Sequence, residues 1–369
     1  MEPADVVLRF LAAVGSAEEA EFYLSLFRAE AKERFALLHV DANVMRGAVD
    51  AVVLELGFLA SLGLVPAVTL GLFAPAEAGE HAASLRRRLE AAAVASQIVT
   101  SDEEALAVAR AGTIPITVLS GDDRPARLAA LLSALVSRKL IFLARAGGFR
   151  VKGQLVSLVN LSTDVAELEA ARELTRKEKE ILAIARRLVS GTVPHKLLIA
   201  VTSPFDLLRE LFTVKGAGTL LRPGAVVLRR RGLAGVERDR LEALLASSFG
   251  KPPVEGFFDQ PIVDVYLEES YRAAAVVVDT PLGPYLSKFA VGREAQGEGL
   301  GRDVWDELCA DHPRLFWRAR PTNPIGAWYV KVCDGMARFP EWHVFWRGLQ
   351  ADEIPAAIAH ALAAPRDFT

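Results

Sequence analysis

The sequence predicts a two-domain α/β protein: a mostly parallel sheet with helices on both faces, followed by a smaller α+β domain. Three observations lead there. The 369 residues exceed what one hydrophobic core usually organises. From Val6 to about residue 222, short apolar strands alternate with Ala/Leu-rich stretches of helical length, the pattern of strands joined by helical crossovers. Between residues 222 and 240 the texture breaks at Pro223, several glycines and a run of arginines, and all five tryptophans lie beyond residue 300.

In chain order, residues 35–40, 65–72, 96–100, 114–120, 139–144, 155–162 and 196–202 supply the strands of the first domain. Residues 56–74 are uncharged and nominally long enough to span a bilayer. Gly63 and Pro66 interrupt them, and the character shifts from Ala/Leu-rich to β-prone, so the stretch reads as helix, turn and buried strand. At "TSDEEALAVAR", Thr100 or Ser101 can cap a helix whose first turn carries three acidic residues. Helices follow the strand ending near Asn160. The boundaries expected are a domain over 1–228, a linker over 229–236 and a domain over 237–369, the second opening with adjacent strands at "PIVDVYLEES" and "RAAAVVVDT".

The composition excludes several function classes. A net charge of −3 argues against a nucleic-acid partner, because binding a polyanion needs a basic surface that releases counterions. The triplets Arg86 to Arg88 and Arg229 to Arg231 are isolated and read as helix-end or linker charges. Cys309 and Cys333 make neither a disulfide framework nor a CxxC zinc site, and the six histidines lack ligand spacing, so no metal is expected. Cys309 is expected buried on the helix after the glycine turn, and Cys333 does not read as a nucleophile, since it lacks an evident histidine partner. "MEPADVVLRF" lacks the features of a secretory signal, and a cytoplasmic location is the expectation.

The most informative stretch is "YLSKFAVGREAQGEGLG", residues 285–301, where a buried-strand pattern runs into a glycine-rich turn. The helix after it places Leu300, Val304, Trp305 and Leu308 on one face. Glycines at a helix start let a ligand approach the backbone, and first-turn amides point at it, which suits a compact anion such as a pyrophosphate. The spacing is neither a Walker loop nor GxGxxG. It is Q-x-x-G-x-G, on Gln296, Gly299 and Gly301. Downstream, Arg318 and Arg320 alternate along "LFWRAR", so a regular strand would turn both to one face. Isolated cations are usually solvated, but Lys288 and Arg318 sit in apolar strands, where a buried charge needs a ligand or an acidic partner. Thr322 or Asn323 can cap a helix beginning at Pro324. Trp342, Phe345 and Trp346 read as core packing.

The glycine turn resembles the acetyl-CoA pyrophosphate loop of GNAT acetyltransferases. Residues 315–335 and "WHVFWRGL", with "FGK" at 249–251 and "YLSKFAV", resemble the acetyltransferase domain of vertebrate-type N-acetylglutamate synthases and bacterial bifunctional N-acetylglutamate synthase/kinases. The resemblance spans residues 237–369; "EFYLSLF" and "SPFDLLRELFTVKGAGTLLRPG" resemble the amino-acid kinase domain of the same proteins. It implies a shortened amino-acid-kinase-like α/β sandwich followed by a GNAT α+β domain. Acetyl-CoA would be held by Val291, Gln296, Gly297, Glu298, Gly299, Leu300 and Gly301, and L-glutamate by Lys251, Lys288, Arg318 and Arg320. Tyr329 would protonate the leaving thiolate, with Asn323 near the reacting groups. "HVDANVMRG", residues 39–47, has neither the lysine nor the glycine pair of a phosphate loop, so the first domain is expected to be a pseudokinase that regulates and oligomerises. L-arginine as effector and a homo-oligomer, tetramer or dimer, are further implications. Three alternatives remain open: an acceptor such as aspartate, a non-catalytic arginine sensor, and a full bifunctional kinase.

Overall fold

The computed structural model describes residues 17–29, 35–170, 174–191, 197–213, 216–365 and 367–368. The chain divides into two units, Met1–Gly224 and Ala225–Thr369.

In the first unit the strands are β1 (Leu37–Val40), β2 (Ala67–Leu70), β3 (Ser96–Val99), β4 (Ile114–Val118), β5 (Lys139–Leu143), β8 (Leu158–Asn160), β9 (Leu198–Thr202) and β10 (Thr219–Arg222). A hairpin of β6 (Arg150–Val151) and β7 (Gln154–Leu155) stands apart. The sheet order is β3-β4-β2-β1-β5-β9-β10-β8, parallel throughout except between β9 and β10. Because side chains alternate across a strand, Leu38, Ile141 and Leu143 join a core with helices Val49–Ser61 and Pro75–Ala91. Leu37, Leu140 and Phe142 join another with helices Arg124–Leu135 and Arg176–Ser190. Burial on both faces explains why these strands are apolar runs and not alternating ones.

The local signals read from sequence map closely. Residues 56–74 divide between the helix Val49–Ser61, a turn and β2, and no helix among the described residues is long and apolar enough to cross a membrane. Ser101, not Thr100, is the cap, its hydroxyl accepting from Glu104 N at 3.1 Å. Arg86 to Arg88 lie within the helix Pro75–Ala91.

At the carboxyl end of β1, His39 is buried, with Nδ1 3.2 Å from Thr69 Oγ1 and its ring edge-on to Phe73 and Phe142. Burial pushes its pKa down to about 4. A base whose folded pKa is depressed gives stability that is full above its unfolded value, near 6.5, and is lost as pH falls toward 4. Unfolding midpoints of a His39→Gln variant should therefore fall less between pH 7 and pH 5 than those of the parent, by thermal melts at each pH.

The second unit holds β11 (Val227–Arg231), β12 (Ile262–Glu268), β13 (Ala273–Val278), β14 (Tyr285–Val291), β15 (Leu315–Ala319), β16 (Gly335–Arg338) and β17 (His343–Arg347), in the order β11-β12-β13-β14-β15-β17-β16. Only β14 and β15 run parallel. The linker expected at 229–236 is corrected here: Arg229 to Arg231 are paired residues of β11, and the division falls at Gly224. All three are sheet residues, and Arg229 has an acidic partner, gripping Asp264 through Nε and Nη2 at 2.8 Å each. Helix Leu300–Asp311 covers one face, with Tyr266, Leu286 and Phe289 beneath it. Helix Arg238–Phe249 covers the other, over Val265, Val276 and Ala290. A third cluster packs helix Ile354–Ala363 on Tyr285, Phe316 and Val344.

Candidate active site

Two features of β14 shape the site. Val276 faces Lys288 and Val277 faces Leu286, so Ser287 is an extra residue, a bulge in mid-strand. The ladder between β14 and β15 consists of one residue pair, Tyr285 with Phe316. From there the strands part toward Val291 and Ala319, leaving backbone groups that need partners of another kind.

The glycine turn stands at the end of β14. Gly292 N donates to Arg272 O at 2.8 Å, a short 3₁₀ turn follows at Arg293–Ala295, and Gln296 Nε2 donates to Val291 O at 3.4 Å. Gly299, at φ 78°, is the N-cap of the helix Leu300–Asp311 and offers no side-chain cap, while its carbonyl accepts from Arg302 N at 3.0 Å and Asp303 N at 3.4 Å. At Gly301 the backbone approaches the sheet closely: a Cβ there would lie 3.2 Å from Val291 Cγ2 and 3.5 Å from the Phe289 ring. Glu298 pairs with Arg272 at 2.7 Å, tying the turn to the start of β13. A cavity of about 390 Å³ opens beside the same helix, lined by Arg302, Trp305, Trp328, Lys331 and Arg347 among others.

Of the four predicted acceptor cations, the structure brings Lys288 and Arg318 close enough to influence one another, from the bulge of β14 and from β15. Lys288 is 6 % exposed; its Nζ donates to Ser287 O at 2.8 Å, Ser287 Oγ at 3.3 Å and Asp367 Oδ2. Phe257 and Phe368 flank it, with ring centroids 5.3 and 5.4 Å from Nζ. Burial lowers the ammonium's pKa, Asp367 counters this, and Arg318 adds to the lowering. Arg318 donates to Ala361 O, Ala364 O and Pro365 O at 2.6–2.8 Å, the carbonyls at the end of helix Ile354–Ala363. Arg318 and Arg320 do share a face: each guanidinium carbon lies 4.0 Å from the Trp342 ring. Trp342 is thus a platform for two cations and not the core residue expected, whereas Phe345 does stack in the core on Trp317. Arg320 also reaches Glu341 Oε2 at 3.3 Å. Lys251 is exposed, just past helix Arg238–Phe249. Its loop is joined to the same segment as Lys288, through Val254 N to Asp367 O at 3.0 Å and a Pro253–Phe368 bridge.

Tyr329 is 5 % exposed in helix Gly326–Val332, its ring 5.4 Å from both Trp317 and Phe345. Burial raises the phenol's pKa, and the Tyr285 phenol adds to the effect. Tyr285 feels Arg318 and Asp367 in turn, so these groups form one electrostatic cluster. The helix begins at Gly326 and not at Pro324. Asn323 shapes the turn before it: Oδ1 accepts from Ile325 N at 3.2 Å and its carbonyl accepts from Gly326 N at 2.9 Å. Both cysteines are reduced and partly buried; burial pushes Cys309 up to about 11 and raises Cys333, so neither is a thiolate at neutral pH. No cluster of three or more potential metal ligands occurs among the described residues.

Sequence reasoning missed Ser287, Tyr285 and Asp367. A period-2 run carries no mark of a bulge, and an aspartate 79 positions from Lys288 has no local signal of its partner.

Residues 228–363 match the family model described as the N-acetyltransferase of N-acetylglutamate synthase. Human mitochondrial N-acetylglutamate synthase is 32% identical over 95% of this chain and 76% of its own length. A protein of Xanthomonas campestris pv. campestris named acetylglutamate kinase is 30% identical, covering 94% of this chain and 98% of that one; the 417 aligned positions exceed the 369-residue chain, so the relative carries segments absent here. In fold, the chain matches N-acetylglutamate synthase from Neisseria gonorrhoeae, solved with coenzyme A and L-arginine, at a TM-score of 0.54 and 16% identity over 90% of this chain and 98% of that one. The chain belongs to the N-acetylglutamate synthase family.

Proposed function

We propose that the protein transfers the acetyl group of acetyl-CoA to the α-amino group of L-glutamate. The observation that carries this is the parting of β14 and β15, with a helix N-terminus at one end of the opening and Lys288 and Arg318 on the two strands that form it. The first-turn amides after Gly299 suit the donor's diphosphate, and the freed edges of the strands suit its amide-bearing arm. The cations Arg302, Lys331 and Arg347 in the neighbouring cavity suit its remaining phosphate. The amine attacks the thioester carbonyl, the C–S bond breaks, and the thiolate is protonated as the nitrogen loses its proton. Tyr329 donates to the developing thiolate, and cations around Trp342 and Lys288 orient the acceptor's carboxylates.

Thiol release from acetyl-CoA with L-glutamate tests this reading, and a parallel series with L-aspartate tests the acceptor. Equal rates with and without glutamate would reject it. Gly299→Val should raise the KM for acetyl-CoA about a hundredfold and leave that for glutamate within threefold. A β-branched residue at positive φ costs about 1–2 kcal/mol, and twisting the turn also misaims amides worth about 1.5 kcal/mol each to a charged ligand.

The first unit is proposed to have no kinase activity. β1 leads directly through Asp41 into helix Ala42–Gly47, with the Asp41 carboxylate accepting from Asn43 N at 2.8 Å and pairing with Lys177. A carboxylate at that helix start repels phosphate. ATP-dependent phosphorylation of N-acetylglutamate would overturn this. The unit is proposed instead to carry an L-arginine effector site and the contacts of a homo-oligomer, readable by calorimetry and sedimentation.

A further inference from the structure

Lys288 and Arg318 are not simply poised for an acceptor. An ammonium has three hydrogens, and those of Lys288 meet Ser287 O, Ser287 Oγ and Asp367 Oδ2. Both Ser287 partners are fixed by the bulge next door in sequence. Asp367 alone comes from elsewhere, on the segment that follows helix Ile354–Ala363. That segment is fastened at several points: Ala364 and Pro365 carbonyls accept from Arg318, Asp367 O accepts from Val254 N, and Phe368 stacks on Phe249 with centroids 4.5 Å apart. The Asp367 carboxylate is placed on the cation proposed to hold an acceptor carboxylate, and the pair is well shielded, with side chains 7% and 14% exposed.

We propose that Asp367 is an internal competitor of the acceptor: its carboxylate occupies Lys288 until an acceptor carboxylate displaces it, and it thereby sets the acceptor affinity. The inference rests on Lys288 serving the acceptor as described above. A protein whose binding-competent form is a minor fraction shows an affinity reduced by that fraction. Removing the competing charge while keeping the side chain's shape therefore tightens acceptor binding. It also leaves a shielded cation without its counter-charge, which an incoming carboxylate relieves.

The test is Asp367→Asn in the full chain. The KM for L-glutamate should fall about tenfold, with turnover at saturation and the KM for acetyl-CoA within twofold of the parent. Asp367→Glu, which restores the charge, should return the KM toward the parental value, a rescue that a loss of fold would not give. Independently of turnover, calorimetric titration with glutarate, a diacid without an amine, should be about tenfold tighter for Asp367→Asn than for the parent. An unchanged or raised KM in Asp367→Asn, or equal glutarate affinities, overturns the inference while glutamate-dependent turnover keeps the proposed reaction standing. If neither protein turns over with glutamate, the proposed reaction fails, and the glutarate titration still decides the role of Asp367.

Discussion

Replacing Tyr329 with phenylalanine should lower turnover about a hundredfold while leaving acetyl-CoA affinity within a factor of two. The substitution removes one oxygen and keeps the ring, whose packing against Trp317, Trp328 and Phe345 at 5.4–5.6 Å holds helix Gly326–Val332 on the sheet. The fold should therefore survive, and a thermal melt will show it. What is lost is a proton donor. Burial raises the phenol above its ordinary value, so it is fully protonated at any working pH. That same shift places it well above an alkyl thiol, near 8.5, which makes complete transfer of its proton to a thiolate uphill. Its contribution is then a hydrogen bond to charge developing on sulfur, stronger in the transition state than in the bound thioester. Such a donor acts on turnover and hardly on ground-state binding, and removing one hydrogen-bond donor to developing charge costs roughly 10²–10³-fold in turnover. Steady-state kinetics beside a CoA titration separates the two effects, and unchanged turnover removes Tyr329 from the mechanism.

What the sequence made legible was local. The glycine turn was readable because its signal, Gln296 to Gly301, lies within one turn and its physics is that of a helix start. The β strands were readable because residues buried on both faces leave apolar runs. The misreadings were non-local. Arg229 to Arg231 look like a linker because the acidic partners of Arg229, Asp264 and Asp311, lie 35 and 82 positions away. Trp342 looked like core because nothing nearby in sequence shows that Arg318 and Arg320 fold over it. Lys288 is a cation in an apolar strand, where a buried charge must meet either a ligand or a carboxylate. The structure gives it the carboxylate, and the chemistry of the site turns on whether it also takes the ligand.

Lys288→Met is the substitution that decides this, and it should reduce kcat/KM for L-glutamate about a thousandfold. Methionine keeps most of the side chain's length between Phe257 and Phe368, so the packing there is conserved and the change is one of charge. The loss expected combines a charge-assisted contact to an acceptor carboxylate, about 1.5–3 kcal/mol, with misorientation of the amine it positions, which can cost another hundredfold. Stability should fall as well, because Asp367 loses its counter-charge in a shielded place. The drop should be about 1–2 kcal/mol, below the 3–5 kcal/mol of a pair sealed in a core, since Asp367 retains some solvent exposure. These two consequences have different origins, and the double variant Lys288→Met with Asp367→Asn separates them. Neutralising both partners should recover most of the stability in a denaturant titration while turnover with glutamate stays as low as in the single variant. If turnover returns together with stability, Lys288 served the fold by pairing with Asp367, and the acceptor carboxylate is held by the arginines over Trp342 alone.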